Sequence, residues 1–392
     1  MLTHLVLLTA LQDPGDFKVF WKDGFRLETT DGNVKARLQG RIHFDAAYVG
    51  NDSDIRRALG FTDLEDGVMF RRARLGASGV IGEHIDWKAE YDFASGTAAF
   101  TDVYVGLLEG PAGLNARVGQ FKEPFSLDQM NSSNSLMFME RSLADAFAPA
   151  RSTGFMVYDA VAEQRVTWAA GVFKDSNAQG AQFSDGEWNV TARVTGLPVN
   201  EDEGRTLVHV GGAASLRSPN SDALAISSRP ESRIAPTFVN TGVIAAEEQT
   251  LFGAEAALVL NRFSVQGEYV FTDVDALTGP DPSFSGYYVE ASYFLTQDYR
   301  RYDAATGTFG RVKPSSALYG QDGGGGAWEA KARYSAIDLD DGTVAGGELS
   351  DVSVGVNWYL NPNVRIMLEG IHADLDSVGS TQIVQTRFQV DW

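Results

Sequence analysis

The stretch Ile383–Trp392, I-V-Q-T-R-F-Q-V-D-W, decides the fold. Val384, Thr386, Phe388, Val390 and Trp392 fall on one side of an extended chain, and Gln385, Arg387, Gln389 and Asp391 on the other. Side chains alternate faces in a strand, so one face suits lipid and the other water. The stretch stops on an aromatic residue, as the last strand of an outer-membrane barrel commonly does. Working back, Leu349–Leu360 and Asn363–Asp374 meet at Asn361-Pro362-Asn363. That link reads as a tight hairpin, because proline has no donor for a central ladder. Val352, Val354, Val356 and Trp358 point outward in the first strand, and Val364, Ile366, Leu368 and Gly370 in the second. Arg365, Met367 and Glu369 point inward, and Trp358-Tyr359 suits an interfacial aromatic girdle.

The alternation recurs upstream. Trp87, Ala89, Tyr91 and Phe93 oppose Asp86, Lys88, Glu90 and Asp92. Val103, Val105 and Leu107 oppose Asp102, Tyr104 and Gly106, while Ala73, Leu75 and Ala77 oppose Arg72, Arg74, Gly76 and Ser78. An ionised face is very costly in a dry sandwich core and cheap against a water-filled lumen. The reading is all-β: a transmembrane antiparallel barrel of about sixteen strands. The segments are 33–49, 68–80, 84–95, 98–109, 113–122, 152–163, 165–174, 187–198, 205–217, 250–260, 262–272, 285–296, 326–337, 349–360, 363–374 and 383–392.

Links of two kinds alternate between them. Gly82-Glu83, Glu109–Ala112, Glu163–Arg165, Asn261-Arg262 and Asn361–Asn363 are short and follow even-numbered strands. The links 50–67, 123–151, 175–186 and 218–249 are long and follow odd ones. Short periplasmic turns and long outer loops alternate in this way in outer-membrane barrels. Residues 297–325 break the rule and read as a long periplasmic segment that tucks back into the barrel. The domain reading is therefore 1–12 as a truncated export signal, 13–32 as an N-terminal periplasmic segment or hairpin, and 33–392 as the barrel.

Composition narrows the function classes. The 392-residue chain carries 41 glycines, no cysteine and a net charge of −20, which argues against nucleic acid as a partner. It has no run of about eighteen apolar residues, so a helical membrane span is excluded. His4, His43, His84, His209 and His372 are scattered without metal-ligand spacing, and the reading assigns no metal and no cofactor. The acidic runs Asp338–Asp341 and Glu201–Glu203 read as solvated charge, although the first has the chemistry for divalent cations. Gly323–Gly326 is followed by no Lys-Ser or Lys-Thr and reads as a linker, and no Gly-x-Ser-x-Gly elbow is present.

A series of collinear motifs resembles the phosphate-selective porin O and P family from about Phe17 to Trp392. They include Trp21-Lys22-Asp23-Gly24, Gly40-Arg41-Ile42, Phe70-Arg71-Arg72-Ala73-Arg74, Val118-Gly119-Gln120-Phe121-Lys122-Glu123-Pro124-Phe125-Ser126 and Met139-Glu140-Arg141. Gly310-Arg311-Val312-Lys313-Pro314, Trp328-Glu329-Ala330-Lys331-Ala332-Arg333-Tyr334-Ser335 and Asn357-Trp358-Tyr359-Leu360-Asn361 continue it. The resemblance implies a sixteen-stranded homotrimer in the outer membrane of a diderm bacterium, passing small hydrophilic solutes and ions, often anions. It also makes the long 297–325 link a family feature. In sixteen-stranded porins the loop after strand five commonly folds inward and sets the constriction; here that loop is 123–151, with Leu136-Met137-Phe138-Met139 as its anchor.

Anion selectivity needs Arg or Lys side chains in a narrow lumen. The pore-lining, anion-binding candidates are Arg72, Arg74, Lys88, Arg117, Lys122, Arg141, Arg365 and Arg387, with Arg41 beside them. Asp86, Glu90, Asp92, Asp102 and Glu369 share these faces, which predicts a balanced lumen with mild ion preference. Lysines that the family's phosphate binders carry fall on Gln129 and Asn134 by eye. A weakly selective passive porin for small hydrophilic solutes or ions, which can include anions such as phosphate or polyphosphate, is therefore the first reading and a phosphate-specific channel the second. A barrel hydrolase or a soluble all-β binding protein is the remaining rival, and neither has a convergent residue set.

Overall fold

The structure is a computed structural model describing residues 17–22, 24–183, 188–319 and 323–392; the export-signal reading of 1–12 lies outside the described residues. Sixteen long antiparallel strands form one ring. They are β1 (Val34–Val49), β2 (Gly67–Ile81), β3 (Ile85–Asp92), β4 (Ala99–Leu107), β5 (Asn115–Lys122), β6 (Arg151–Val161), β7 (Val166–Lys174) and β8 (Asn189–Glu201). Then come β9 (Thr206–Arg217), β10 (Ile244–Leu260), β11 (Phe263–Ala276), β12 (Ser283–Phe294), β13 (Ala327–Asp341), β14 (Val344–Asn361), β15 (Val364–Leu375) and β16 (Gly379–Asp391). Each pairs with its sequence neighbour, and β16 closes the ring on β1 from Ile383↔Val49 to Asp391↔Arg41. Closure leaves no open edge in the ring, the condition for a sheet to cross a bilayer.

At the seam, the backbones of Gly40 and Trp392 exchange hydrogen bonds of 3.0 and 3.1 Å. A β-carbon on Gly40 would lie 2.3 Å from the Trp392 indole, so only glycine lets the last residue lie flat there. Below the seam β1 continues past β16 and pairs instead with a hairpin of Phe17–Trp21 and Phe25–Thr29.

The alternation holds along the strands, with Val352, Val354, Leu368, Val384 and Phe388 exposed on the outside and Arg365, Glu369, Gln385 and Arg387 buried inside. A bulge in β2 shifts it locally. His43 pairs with Arg72 but Phe44 with Phe70, so Arg71 is an extra residue on β2. A bulge re-aims side chains locally. Phe70 thereby turns outward, while Arg71 joins Arg72 and Arg74 on ion pairs inside.

The wall is uneven. β3 and β5 have 8 residues each, against 17 in β10 and 18 in β14. The strand expectations at 250–260, 326–337 and 349–360 fall short of the observed Ile244, Asp341 and Val344 ends. The added residues mix acids such as Glu247, Glu248, Asp340 and Asp341 with Ile244, Leu339 and Val344, and Leu339 is buried inside between the exposed Asp338 and Asp340.

Inside, two further differences from a water-filled tube stand out. Residues 123–150 and 218–243 both fold against the inner wall, and an apolar cluster including Phe125, Leu143, Phe238, Val239, Ile337, Leu349, Ile371 and Ile383 fills the space between them. From the opposite, short-turn end, residues 295–319 also enter. Phe309 N–H there donates to Asn131 Oδ1 of the 123–150 segment at 2.8 Å.

Candidate functional site

The ion-bearing lumen divides by what covers it. Under the wall of β13–β16, residues 136–140 are clamped onto inward side chains. Lys331 Nζ donates to Met137 O (2.8 Å) and to Glu369 (2.5 Å), and Arg365 to Leu136 O (2.7 Å). Arg387 spans Asp45 (2.6 Å), Glu140 (2.7 Å) and Met139 O. Arg333 reaches Glu231 (2.6 Å) on the 218–243 segment and Glu140 O (3.1 Å), with its guanidinium 4.2 Å over the Phe138 ring. Leu136, Met137, Phe138 and Met139 are buried against this platform. Burial works to raise the Glu140 carboxyl, but the guanidiniums of Arg71, Arg72 and Arg387 hold it well below the usual carboxylate range.

Along β1–β6 the lumen stays open as a cavity of about 400 Å³. Its charged wall is Arg41, Arg72, Arg74, Lys88, Arg117, Lys122, Arg141 and Arg151, eight cations, against Asp102 and Asp303, two acids. The 123–150 segment contributes Met130, Ser132, Ser133 and Ser135, and the 295–319 segment adds Thr306, Thr308 and Phe309. Six of the eight candidates from sequence, Arg72, Arg74, Lys88, Arg117, Lys122 and Arg141, come together here. Arg365 and Arg387 do not: they are spent on carbonyls and carboxylates beneath the clamped segment.

The inner acids are placed unevenly about this cavity. Glu90 is 1% exposed and lies behind Arg41 (3.2 Å), Arg74 (3.3 Å) and Lys88 (3.9 Å). Asp92 is held by Arg74 at 2.7 Å, and Glu369 belongs to the clamped side. The acids thus position cations, and Asp102 alone of those five lines the cavity. Gln129 is buried, and Asn134 faces His43 Nε2 at 3.2 Å.

Arg151 was not legible in sequence. It has the parity of Phe155, which is exposed outside, but it stands at the strand end opposite Lys122, where the chain enters from the inward segment. There it binds Asp102 through Nε at 2.8 Å.

A smaller cavity of about 240 Å³ lies between the 123–150 and 218–243 segments, lined by Arg71, Glu140, Asp145, Arg229, Glu231 and Arg233. Arg141 lines both cavities. Burial raises Asp145 to about 7 despite Arg141, whose Nε is 3.6 Å away, and Asp128 adds to the rise. Burial raises Glu231 as well, against the pull of Arg333. Among the described residues no group of three or more His, Cys, Asp or Glu side chains is arranged to hold a metal ion.

A closed sixteen-stranded ring with an apolar exterior and a charged, loop-narrowed lumen defines an outer-membrane channel for small solutes. Residues 37–392 match the sequence profile of phosphate-selective porin O and P, and the chain belongs to that family. It is 29% identical over 379 residues to an uncharacterised protein of Caulobacter vibrioides, covering 93% of this chain and 73% of that one. It is 26% identical over 422 residues to Porin O of Pseudomonas aeruginosa, covering 94% and 90%. Among solved structures, the anion-selective porin from Comamonas acidovorans superposes with a TM-score of 0.56 at 13% identity, covering 92% of this chain and all of the other.

Proposed function

We propose that this outer-membrane channel prefers anions, that residues 123–150 form its constriction, and that it performs no chemical conversion on its solutes. The observation that carries the preference is the cavity's eight cations against two acids, in a chain whose net charge is −20. Such a local excess concentrates anions in a narrow water-filled passage with low-dielectric walls, whatever the sign of the outer loops. The eight cations are held by neighbours such as Glu90 and Asp102, so the field is built in before a solute arrives.

The short-turn end, with residues 295–319 and the hairpin of Phe17–Trp21 and Phe25–Thr29, is assigned to the periplasm and the long loops to the outside. Three copies per assembly are proposed on the family likeness. The test is the reversal potential of single channels in a planar bilayer under a potassium chloride gradient. Chloride is expected to be several times more permeant than potassium; equal permeabilities would sink the preference. Block by inorganic phosphate at micromolar concentration would favour the phosphate-specific alternative.

A further inference from the structure

We propose that the preferred solutes of this channel are organic anions, a carboxylate head on an apolar or aromatic body, rather than compact inorganic oxyanions; this rests on the anion-preferring reading above. Three observations point the same way. The first is the state of the donors. Lys122 Nζ has three hydrogens, and they are taken by the carbonyls of Gln129 (2.6 Å), Met130 (3.1 Å) and Asn131 (2.8 Å). Arg141 donates to the carbonyls of Asp128, Gln129 and Asn131 as well. Stripping a strongly hydrated oxyanion requires many free donors converging on one point, and these two cations offer few. Arg151 differs: beyond its Nε bond to Asp102, its terminal amino groups have no hydrogen-bond partner among the described residues. It can grip one carboxylate in the paired geometry guanidinium favours.

The second observation is the rest of the wall. Tyr104 and Met130, both half-buried, border the same cavity as the cations, backed by the buried side chains of Phe121, Met156 and Phe309. Arg117 lies 3.9 Å over the Tyr104 ring and 5.0 Å from that of Tyr158, which fixes a flat, half-apolar surface beside the charged one. Such a surface gains free energy from a solute's apolar body and nothing from a bare oxyanion. The third is size. About 400 Å³ is within the range of pockets that hold small organic molecules, and it exceeds what a single inorganic ion fills.

The experiment uses the full folded chain in planar bilayers, with chloride as the current carrier and benzoate, acetate or inorganic phosphate added to one side. Benzoate is expected to interrupt the current at a concentration lower than acetate by on the order of tenfold, the scale for partial burial of one ring. Phosphate is expected to need at least as much as acetate. In Tyr104→Ser and Met130→Ser the advantage of benzoate over acetate should shrink toward one. Met130 is half-buried at the cavity wall, and no wall strand depends on its side chain, so its variant carries the test should Tyr104→Ser fail to give a heat-modifiable folded band. Phosphate blocking better than benzoate, or an undiminished benzoate advantage in the Met130 variant, overturns the organic-anion assignment and leaves anion preference standing. Loss of chloride over potassium selectivity in the unaltered channel overturns the parent reading instead.

Discussion

The two sides of the lumen use the same residue types for opposite ends. Lys331, Arg333, Arg365 and Arg387 face inward from β13, β15 and β16, as Arg72, Arg74, Lys88 and Arg117 do from β2, β3 and β5. The first group is covered by residues 136–140 and spends its donors on them; the second borders open space. Alternation says only that a charge points inward. Whether it meets solute or scaffold depends on where a loop lies, and that is a long-range property. The largest effects of mutation should therefore fall on stability for one side and on permeation for the other.

Arg387→Ala should show the largest. It leaves Asp45 and Glu140 without their shared guanidinium in a buried setting, a loss of roughly 3–5 kcal/mol. It also frees Met139 O, one of the clamps on the constricting segment. The temperature at which the folded band converts on a gel should fall, and single-channel conductance should rise as the segment loosens. An unchanged conversion temperature together with an unchanged conductance would erase the distinction between the two sides.

Arg151→Ala tests the open side, where the expected effect is smaller and of another kind. The pair with Asp102 is partly exposed and Lys88 still holds that carboxylate at 2.5 Å, so stability should change by no more than about 1 kcal/mol. One cation fewer removes roughly 1 kcal/mol of attraction on an anion about 4 Å away in a well-hydrated pore. That predicts a severalfold drop in the chloride to potassium permeability ratio, read from reversal potentials. A large stability loss with intact selectivity would make Arg151 another scaffold residue.

These two arginines also show what a sequence makes legible. Arg387 sits in the cleanest alternating stretch of the chain, so its inward direction is plain from Val384 to Trp392. The segment that covers it lies some 250 positions away in sequence, and nothing local announces the contact. Arg151 fails for the opposite reason. Its neighbours give it outward parity, and the inward bend of residues 123–150 overrides them at the strand end. Arg71 is the same case by way of a bulge. Strand number, faces and most ring neighbours rest on a period of two that any short window displays. Bulges, strand ends and loop docking rest on contacts between distant residues, and the apolar plug of Phe238, Val239, Ile337 and Ile371 is formed entirely that way.

The smallest predicted effect sits where the two sides meet, at Asp145. Its carboxyl lies in the smaller cavity 3.6 Å from Arg141, which also lines the larger one. Around it are Asp128 and Lys122, with Glu140, Arg71, Arg229, Glu231 and Arg233 across the cavity. Burial raises Asp145 to about 7, well above the value of about 3.9 for a solvated aspartate. The sign follows from proton counting. Between about pH 4 and 7 the folded chain holds a proton that the unfolded chain has released, so this group stabilises the fold at acid pH and the contribution fades as pH rises through about 7. For permeation, lowering pH from 8 to 6 removes one negative charge beside Arg141. The chloride to potassium ratio should rise modestly, less than the change produced by Arg151→Ala, because the carboxylate is one charge among many in the vestibule. Asp145→Asn should abolish most of that pH response while holding the ratio near its acid value. A full response in the Asn variant would move the titrating group elsewhere, with Glu231, raised by burial on the facing segment, as the next residue to replace.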